Sequence, residues 1–375
     1  MTRDLSWRNF DFILLGAVIL ASAFGTVMIR SAVAGNEVLL PLVTRQIYFA
    51  ILGVIVIFTV ASIDYRYWLA LYRPIYLVIM IFLVTLTGFG QSAFGAQRWF
   101  TVGVLFLQPT EFAKIIAIIV LARYFDAAQY QPRDLRWVLG AVLWAAGIIV
   151  MILLQPNLSN VLVLSVILGL MLWVNGVQTK HVLVAGGVGG VVLVSLIVLS
   201  VIGVRVPFLQ PYQQERIVNF VVPDPNDTYG NRYNVQQALI AIGSGGLFGK
   251  GYGQGSQTQL RFLKVRHTDF IFAASSEEFG AIGGVLIILT IAIIVWRCIR
   301  AGQKSRDVAG AMISFGVATL IFFQATVNIG MNLNILPVSG LPLPFVSYGG
   351  SGLTALMLGV GLVESVAMRH KQMEF

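Results

Sequence analysis

The chain has 375 residues, of which 57% are apolar and only 11% are charged, and its mean hydropathy is +0.84. Because an ordinary soluble domain carries about 25% charged residues, this composition excludes a soluble globular enzyme, a disordered chain and a disulfide scaffold. The single cysteine, Cys298, excludes an intrachain disulfide and a cysteine-based metal site, and we expect it to be an inert buried thiol. The length is better divided into segments of about 20 residues that each cross a bilayer.

Ten apolar segments are long enough to be candidate membrane spans. They lie near residues 10–32, 44–63, 74–90, 108–126, 137–155, 157–175, 181–203, 268–298, 307–330 and 346–368. The first run is too long for the apolar region of a cleavable signal peptide, so we interpret it as a retained helix. The sequence therefore predicts an all-α, polytopic integral membrane protein in which residues 1–375 form a single domain.

The basic residues between the spans predict how the chain is oriented. If both termini are cytoplasmic, the cytoplasmic segments hold fourteen Lys and Arg residues and the short outside segments hold three. Cytoplasmic loops of membrane proteins collect positive charge, so we expect both termini in the cytoplasm. The net charge of +9 is explained by this placement, and we expect no nucleic-acid partner.

One outside connection, residues 204–267, is much longer than the others. It carries seven basic and three acidic residues, a net charge of +4, which favours an anionic ligand such as phosphate. Its apolar side chains predict partial order, with short amphipathic helices lying on the membrane. The glycine-rich stretch 243–255 fails the spacing of a phosphate-binding P-loop, and both a flexible loop and a lipid-phosphate contact stay open for it.

Two ionisable residues at the start of the fourth span share one helix face. Glu111 and Lys114 are three residues apart, so they can pair. Charges near an apolar span are costly unless they are paired or face water. The pair is therefore either a buried ion pair that fixes helix packing or part of a polar cavity that binds substrate.

Asp269 lies where the long connection enters the eighth span. A carboxyl group at such a junction is half desolvated, and its pKa can be raised by burial or lowered by Arg266 and His267, which suits a general base. The alternative is that Thr268 or Asp269 simply caps the helix. Glu277, two helical turns further on, either lines the same cavity or is a deep structural hydrogen-bond partner.

The end of the ninth span is polar and is followed by an irregular segment. Gln324, Asn328, Asn332 and Asn334 form a polar stripe, and residues 336–350 contain three prolines and three glycines. Such a segment cannot be a regular helix. Irregular backbone at membrane depth is tolerated only where it is buried in protein or lines a water-filled cavity, so we predict a re-entrant or cavity-lining segment.

These segments carry a family resemblance. Residues 267–272 (HTDFIF), 328–333 (NIGMNL) and 336–350 (LPVSGLPLPFVSYGG) resemble the signature motifs of the SEDS family, named for shape, elongation, division and sporulation. Residues 95–99 (GAQRW) and 108–112 (QPTEF) match two further family motifs. Within the family, residues 243–263 are more similar to the rod-shape elongation members than to the division members.

The resemblance implies an activity. SEDS proteins are inverting glycosyltransferases that polymerise lipid II, as donor and acceptor, into peptidoglycan strands at the outer face of the bacterial cytoplasmic membrane, here during cell elongation and shape maintenance. They act with a class B penicillin-binding protein, a transpeptidase. The essential aspartate of the family corresponds to Asp269, its conserved pair in the fourth span to Glu111 and Lys114, and its loop arginine to Arg98.

The expected chemistry assigns roles to the residues. Asp269 deprotonates the acceptor hydroxyl as the catalytic base, unless it holds a metal instead. The departing diphosphate requires a divalent cation, Mg²⁺ or Mn²⁺, or nearby basic groups, and we expect no organic cofactor. Polyprenyl tails would lie among membrane lipids in grooves between spans. The predicted substrate-binding residues are Arg98, Glu111, Lys114, Lys264, Arg266, His267, Glu277, Asn332 and Ser347.

The sequence departs from the family pattern at positions outside the Asp269 motif, and two other functions also stay open. Lys264-Val265 stands where the family usually has Pro-Glu, and Asn157 replaces an aspartate. A flippase or transporter of lipid-linked precursors is a second hypothesis, because broken helices mark transport sites. A non-catalytic scaffold that recruits the transpeptidase is a third.

Overall fold

Helices make up most of the computed structural model, which describes residues 7–89, 91–93, 96–102, 105–204, 206, 210–222 and 231–369. After a single 3₁₀ turn at Trp7–Asn9, the helices are α1 (Phe12–Ala32), α2 (Pro41–Ser62), α3 (Tyr65–Ala70), α4 (Tyr72–Phe89), α5 (Pro109–Ala127), α6 (Leu135–Leu154), α7 (Leu158–Val174), α8 (Thr179–Val201), α9 (Pro211–Val221), α10 (Asn231–Gly245), α11 (Ser256–Gln259), α12 (Ile271–Gln303), α13 (Val308–Asn332) and α14 (Gly350–Met368). The strands are β1 (Gln91–Ala93), β2 (Ala96–Val102) and β3 (Leu105–Leu107).

Each of the ten predicted spans coincides with one long helix. Among the described residues, seven helices are long and apolar enough to cross a membrane: α1, α2, α6, α8, α12, α13 and α14. Helices α4 and α7 have shorter apolar stretches, and α5 carries four charged residues. The chain is a multi-pass, helical membrane protein, as predicted, while the count of ten spans stays a prediction.

A small antiparallel sheet between α4 and α5 was not predicted. Strand β2 pairs with β1 on one side and with β3 on the other, with Thr101 opposite Phe106 in the second pair. The connection is rich in β-branched and aromatic residues, which favour extended backbone. Sequence reasoning missed it because the two strand pairings involve only a few residues each.

Helices α13 and α14 form the centre of the bundle. In their most apolar stretches 72% and 89% of residues are buried, whereas none is buried in the most apolar stretch of α8, which lies at the periphery. Helix α14 packs against α2, α5 and α13. Small residues allow these approaches: a Cβ at Gly361 would lie 2.9 Å from the Val60 side chain. Cys298 is buried in this core, as expected.

Hydrogen bonds and ion pairs distinguish the two ends of the bundle. At one end, Ser159 Oγ at the start of α7 donates to Ser339 O beyond the end of α13, at 2.6 Å. We call this the Asp269 end, because α12 begins there. At the opposite end, Arg297 of α12 pairs with Asp11, and the Asp11 amide donates to Glu364 of α14 at 2.9 Å.

The described part of the long connection contains helices, as predicted, and they lie at the Asp269 end. Tyr212 Oη and Gln213 Nε2 of α9 both donate to the Pro156 carbonyl in the turn between α6 and α7, each at 2.9 Å. Helix α10 packs against α12. The connection therefore covers the end of the bundle at which the predicted site residues are found.

Candidate active site

Asp269 lies two residues before α12 and does not cap it. The N-cap residue is Phe270, and no side chain hydrogen-bonds to the first turn as a cap. The alternative that Thr268 or Asp269 merely caps the helix is therefore wrong, because α12 starts one residue later than a cap at Asp269 requires and two residues later than a cap at Thr268 requires. The Asp269 side chain is partly exposed, whereas the next residue, Phe270, is buried and the nearby Val265 is exposed.

Two asparagines of α13 fix the backbone of Asp269. The side-chain amides of Asn328 and Asn332 donate to the Asp269 carbonyl at 3.1 and 3.0 Å. Asn332 Oδ1 also accepts from the Ala273 amide in the first turn of α12, at 3.1 Å. Both asparagines are fully buried. The polar stripe predicted on α13 thus positions Asp269, and a contact between Asn332 and substrate stays a prediction.

The irregular segment after α13 packs directly on the residues before Asp269. Ser347 Oγ donates to the Thr268 carbonyl at 2.6 Å and accepts from the Leu343 amide at 2.8 Å. The Tyr348 amide donates to the His267 carbonyl at 2.9 Å. Non-helical backbone is therefore buried against protein here, as expected for membrane proteins.

Arg216 of α9 is the cation that faces Asp269. A Cβ placed at Gly340 would lie 3.7 Å from Arg216 Nη1 and 4.0 Å from Asp269 Oδ2, so both charged groups lie next to this glycine. Burial raises the pKa of Asp269 to about 6, and the positive charge of Arg216 and a hydrogen bond with Thr268 oppose that rise. A carboxyl group with this pKa is ionised at neutral pH and remains basic enough to accept a proton.

Sequence reasoning missed Arg216, since it was only one of seven basic residues in the long connection. The signal that marks it is its position in an amphipathic helix of that connection, but 53 residues separate it from Asp269. The expectation that Arg266 and His267 lower the pKa of Asp269 is corrected: Arg216 is the cation with that effect.

Arg266 and Lys264, two basic residues near Asp269 in sequence, contact other parts of the protein. The Arg266 guanidinium is buried and donates to the Ala32 carbonyl at the end of α1 and to Leu263 O at 3.4 Å. Burial and Arg266 lower the pKa of His267, so its imidazole is neutral at pH 7. Lys264 Nζ lies 5.7 Å from the centre of the Tyr233 ring. Substrate contacts for these three residues stay predictions.

Glu111 and Lys114 form the buried ion pair that their spacing predicted. Lys114 Nζ lies 2.8 and 2.9 Å from the two Glu111 carboxylate oxygens and 3.3 Å from Asn160 Oδ1 of α7. The two charges are almost completely buried. The pair therefore joins α5 to α7, while its contact with substrate stays a prediction. Arg98 lies in β2, and its side chain is outside the described part of the structure.

Glu277 is fully buried and accepts five hydrogen bonds. The donors belong to Lys250 of the glycine-rich loop and to Ser256, Gln257 and Thr258 of α11, at 2.8 to 3.2 Å. This arrangement agrees with the structural alternative for Glu277. Its predicted role in substrate binding is not tested by these contacts.

A metal site made by the protein alone does not fit the described residues. No group of three or more His, Cys, Asp or Glu side chains lies close enough together in that part of the chain to hold an ion. Asp269 is thus a single carboxylate beside a cation. Mg²⁺ is often bound by one or two carboxylates together with substrate phosphates, so Asp269 would hold a divalent cation only jointly with a diphosphate.

Fold and site together define a polytopic membrane protein with one partly exposed carboxyl group at the end of its helix bundle. The family model for FtsW, RodA and SpoVE, described as "Cell cycle protein", matches residues 6–372. The chain belongs to this family, which confirms the resemblance to SEDS proteins.

Relatives and solved structures cover almost the whole chain. It is 32% identical over 357 residues to the peptidoglycan glycosyltransferase MrdB of Escherichia coli K12, covering 95% of this chain and 93% of MrdB. The rod shape determining protein RodA of Thermus thermophilus matches with a TM-score of 0.71 and 28% identity over 98% of this chain and 99% of RodA. A chain from a structure titled "Structural coordination of polymerization and crosslinking by a peptidoglycan synthase complex" matches with a TM-score of 0.79 and 28% identity, over 98% of this chain and 100% of the other.

Proposed function

We propose that this protein is a peptidoglycan glycosyltransferase that polymerises lipid II during cell elongation and shape maintenance. Family membership and the name of MrdB support the activity, and the similarity to RodA supports the elongation role. The observation that carries the proposal is Asp269, a partly exposed carboxyl group that is held by its backbone and whose pKa is raised to about 6.

Asp269 acts as the general base in a single inverting displacement. Its carboxylate takes the proton of an acceptor sugar hydroxyl while that oxygen attacks the anomeric carbon of the donor, and the bond to the donor diphosphate breaks. The diphosphate leaves with the bonding electron pair. A positioned base of this kind contributes about 10²–10⁴ in rate. Because Asn328 and Asn332 bind the Asp269 carbonyl, the base is fixed before substrate arrives.

Arg216 stabilises the negative charge of the departing diphosphate. Its Nη1 and Asp269 Oδ2 lie 3.7 and 4.0 Å from a Cβ placed at Gly340, so the group that attracts the anion is near the group that takes the proton. Preorganised cations at developing negative charge lower barriers strongly in sites that exclude water. Arg98, Lys264, Arg266 and His267 remain further candidate contacts for the sugar-phosphate portion, as do Glu111, Lys114, Glu277, Asn332 and Ser347.

A divalent cation, Mg²⁺ or Mn²⁺, enters the proposal as a companion of the substrate diphosphate. It would supply additional positive charge for the leaving group. Asp269 is the protein carboxylate that would hold it, at the expense of its role as base. The chelator arm of the experiment below tests whether the reaction needs such a cation.

We further propose that the protein works at the outer face of the bacterial cytoplasmic membrane with a class B penicillin-binding protein. The structural match to a chain of a peptidoglycan synthase complex supports a transpeptidase partner. The excess of Lys and Arg in alternate connections supports cytoplasmic termini and therefore an outward-facing Asp269 end.

A flippase of lipid-linked precursors is the second candidate function. Two breaks in regular backbone favour it: the irregular segment between α13 and α14 and a non-helical residue, Gly280, inside α12. Transport needs two compartments, whereas polymerisation does not. Formation of glycan strands in detergent solution therefore separates the two functions.

The experiment is a lipid II polymerisation assay on the purified full chain, with the Asp269→Asn variant, a chelator and the partner as separate arms. We expect glycan strands from the wild type and a loss of about 10²–10⁴ in rate for the variant. Strands made by Asp269→Asn at the wild-type rate would overturn the assignment of the base. Loss of wild-type activity with chelator, restored by Mg²⁺ or Mn²⁺, would show that the reaction needs a divalent cation with the diphosphate.

A further inference from the structure

Helix α12 is broken, and the glycine-rich loop fills the break. Gly280 has φ 69° and ψ −167°, which interrupts the helix. The amides of Ala281 and Ile282, which the break deprives of helical partners, donate to Gly246 O and Leu247 O at 2.8 and 3.2 Å. A break in a membrane helix requires such replacement partners, because unsatisfied backbone groups are costly there.

The loop also serves the other side of the break. The carbonyls of Glu277 and Glu278 accept from the amides of Lys250 and Gly251 at 3.0 and 2.9 Å. Four backbone hydrogen bonds therefore splice residues 246–251 into α12. Only glycine allows this approach at Gly249, where a Cβ would lie 2.1 Å from Glu278 O.

Side chains reinforce the splice. The five hydrogen bonds to Glu277 hold residues 250–258, and the Lys250 ammonium group is 2.9 Å from its carboxylate. A Cβ at Gly255 would lie 2.6 Å from Glu277 Oε2. Glu278 accepts from Ser31 of α1 and from Gln259. We call the contacts of Glu277 with residues 250–258 the loop latch.

Asp269 lies at the end of a short half-helix that the break separates from the rest of α12. The half-helix 271–279 is separated from the rest of α12 by Gly280, and Asp269 is eleven residues from that residue. At 1.5 Å per residue, Asp269 is about 16 Å from Gly280. A rotation of about 5° at Gly280 would therefore move Asp269 by about 1.4 Å, and displacements of about 1 Å can cost 10²-fold in rate.

We propose that Glu277 and Lys250 are positioning residues for the glycosyltransferase reaction, because the loop latch fixes the half-helix that carries Asp269. The inference rests on the proposed function, and it gives Glu277 a role other than the substrate contact predicted from sequence. Asn328 and Asn332 hold the half-helix from the α13 side, and the loop latch holds it from the other side. The long connection is thereby coupled to the base.

The test compares Glu277→Gln with Glu364→Gln, a matched control that alters an equally buried glutamate at the opposite end of the bundle. In the lipid II assay we expect Glu277→Gln to lower kcat at least tenfold with KM within twofold of wild type. Glu364→Gln should retain kcat within twofold. Lys250→Met should also lower kcat, but by less than Glu277→Gln. The double variant Glu277→Gln/Lys250→Met should have a kcat within twofold of that of Glu277→Gln, because both changes disrupt the same loop latch.

Hydrogen exchange provides a second measurement that does not depend on activity. Amides of residues 271–279 should exchange faster in Glu277→Gln and Lys250→Met, while those of residues 285–300 should not change. If Glu277→Gln does not fold, Lys250→Met decides the outcome by the same measurements. Unchanged kcat, or a raised KM with unchanged kcat, would overturn the inference and leave the proposed function intact. A wild-type protein that makes no strands would instead overturn the proposed function, and exchange alone would then report on the latch.

Discussion

Glu111 and Asp269 are both carboxyl groups beside apolar helices, yet their surroundings are opposite. Glu111 is buried and contacts the Lys114 ammonium group through both oxygens. Asp269 is partly exposed, lies near Arg216 beside Gly340 and is held through its backbone. The Glu111 carboxylate is held in a direct ion pair, whereas a carboxyl group with a raised pKa, such as Asp269, can exchange protons. The comparison shows that burial and the cation that a carboxyl group meets together decide what a charge near a membrane span does.

The largest expected effect on stability comes from breaking the Glu111–Lys114 pair. Lys114→Met leaves the Glu111 carboxylate buried without its cation, and removal of one partner of a buried pair costs about 3–5 kcal/mol. We expect a strongly lowered midpoint of thermal unfolding in detergent, whereas Asp269→Asn should leave that midpoint nearly unchanged.

The double variant Glu111→Gln/Lys114→Met sharpens this comparison. Replacing both charges together is often neutral for stability, so the midpoint should recover. If a stable double variant also recovers polymerisation, the pair serves packing alone. A stable but inactive double variant would show that the pair contacts substrate, as its family position predicts.

The pH dependence of the wild-type rate is the next largest effect. Because a general base must be ionised and the pKa of Asp269 is raised to about 6, kcat/KM should be lost as the pH falls through that value. Well below the midpoint, we expect about a tenfold loss for each further pH unit. A rate that stays constant from about pH 8 down to about pH 4.5 would contradict the assignment.

Replacing Arg216 should move this pH profile. Its positive charge lowers the pKa of Asp269, so Arg216→Gln should raise that pKa and shift the acid limb to higher pH. Activity should therefore fall more at pH 6 than at pH 8. Arg261→Gln is the matched control: it removes an equal charge at the same end, where Arg261 donates to the Gly35 carbonyl, and it should keep the wild-type midpoint.

The smallest expected effect is that of Ser347→Ala. The change removes the hydrogen bond to Thr268 O and leaves the Leu343 amide without its acceptor. One such bond is worth about 1 kcal/mol, so we expect about a fivefold lower kcat. The Ser339 hydroxyl makes longer contacts, at 3.5 Å to Met331 Sδ of α13 and 3.4 Å to the Leu341 amide, so Ser339→Ala should change the rate less. Equal effects of the two changes would argue against a special role for Ser347.

Much of the candidate site was predictable because its parts lie close together in sequence. The spacing of Glu111 and Lys114 predicted their pairing, and the asparagine stripe of α13 predicted a buried polar surface beside the irregular segment. Family motifs singled out Asp269. The loop latch was not predictable: Lys250 and Glu277 are 27 residues apart, and no pattern announces that a loop will fill a break at Gly280.

By itself, the sequence determined that this chain is a multi-pass helical membrane protein, because runs of apolar residues leave water and their backbone must then hydrogen-bond within helices. It also determined which charged residues lie in or beside apolar spans, where an unpaired charge is energetically costly. The tertiary structure decided which distant cation two other carboxylates meet: Lys250 for Glu277 and Arg216 for Asp269. Electrostatic interactions depend on distance through space and on burial, and neither follows from positions along the chain.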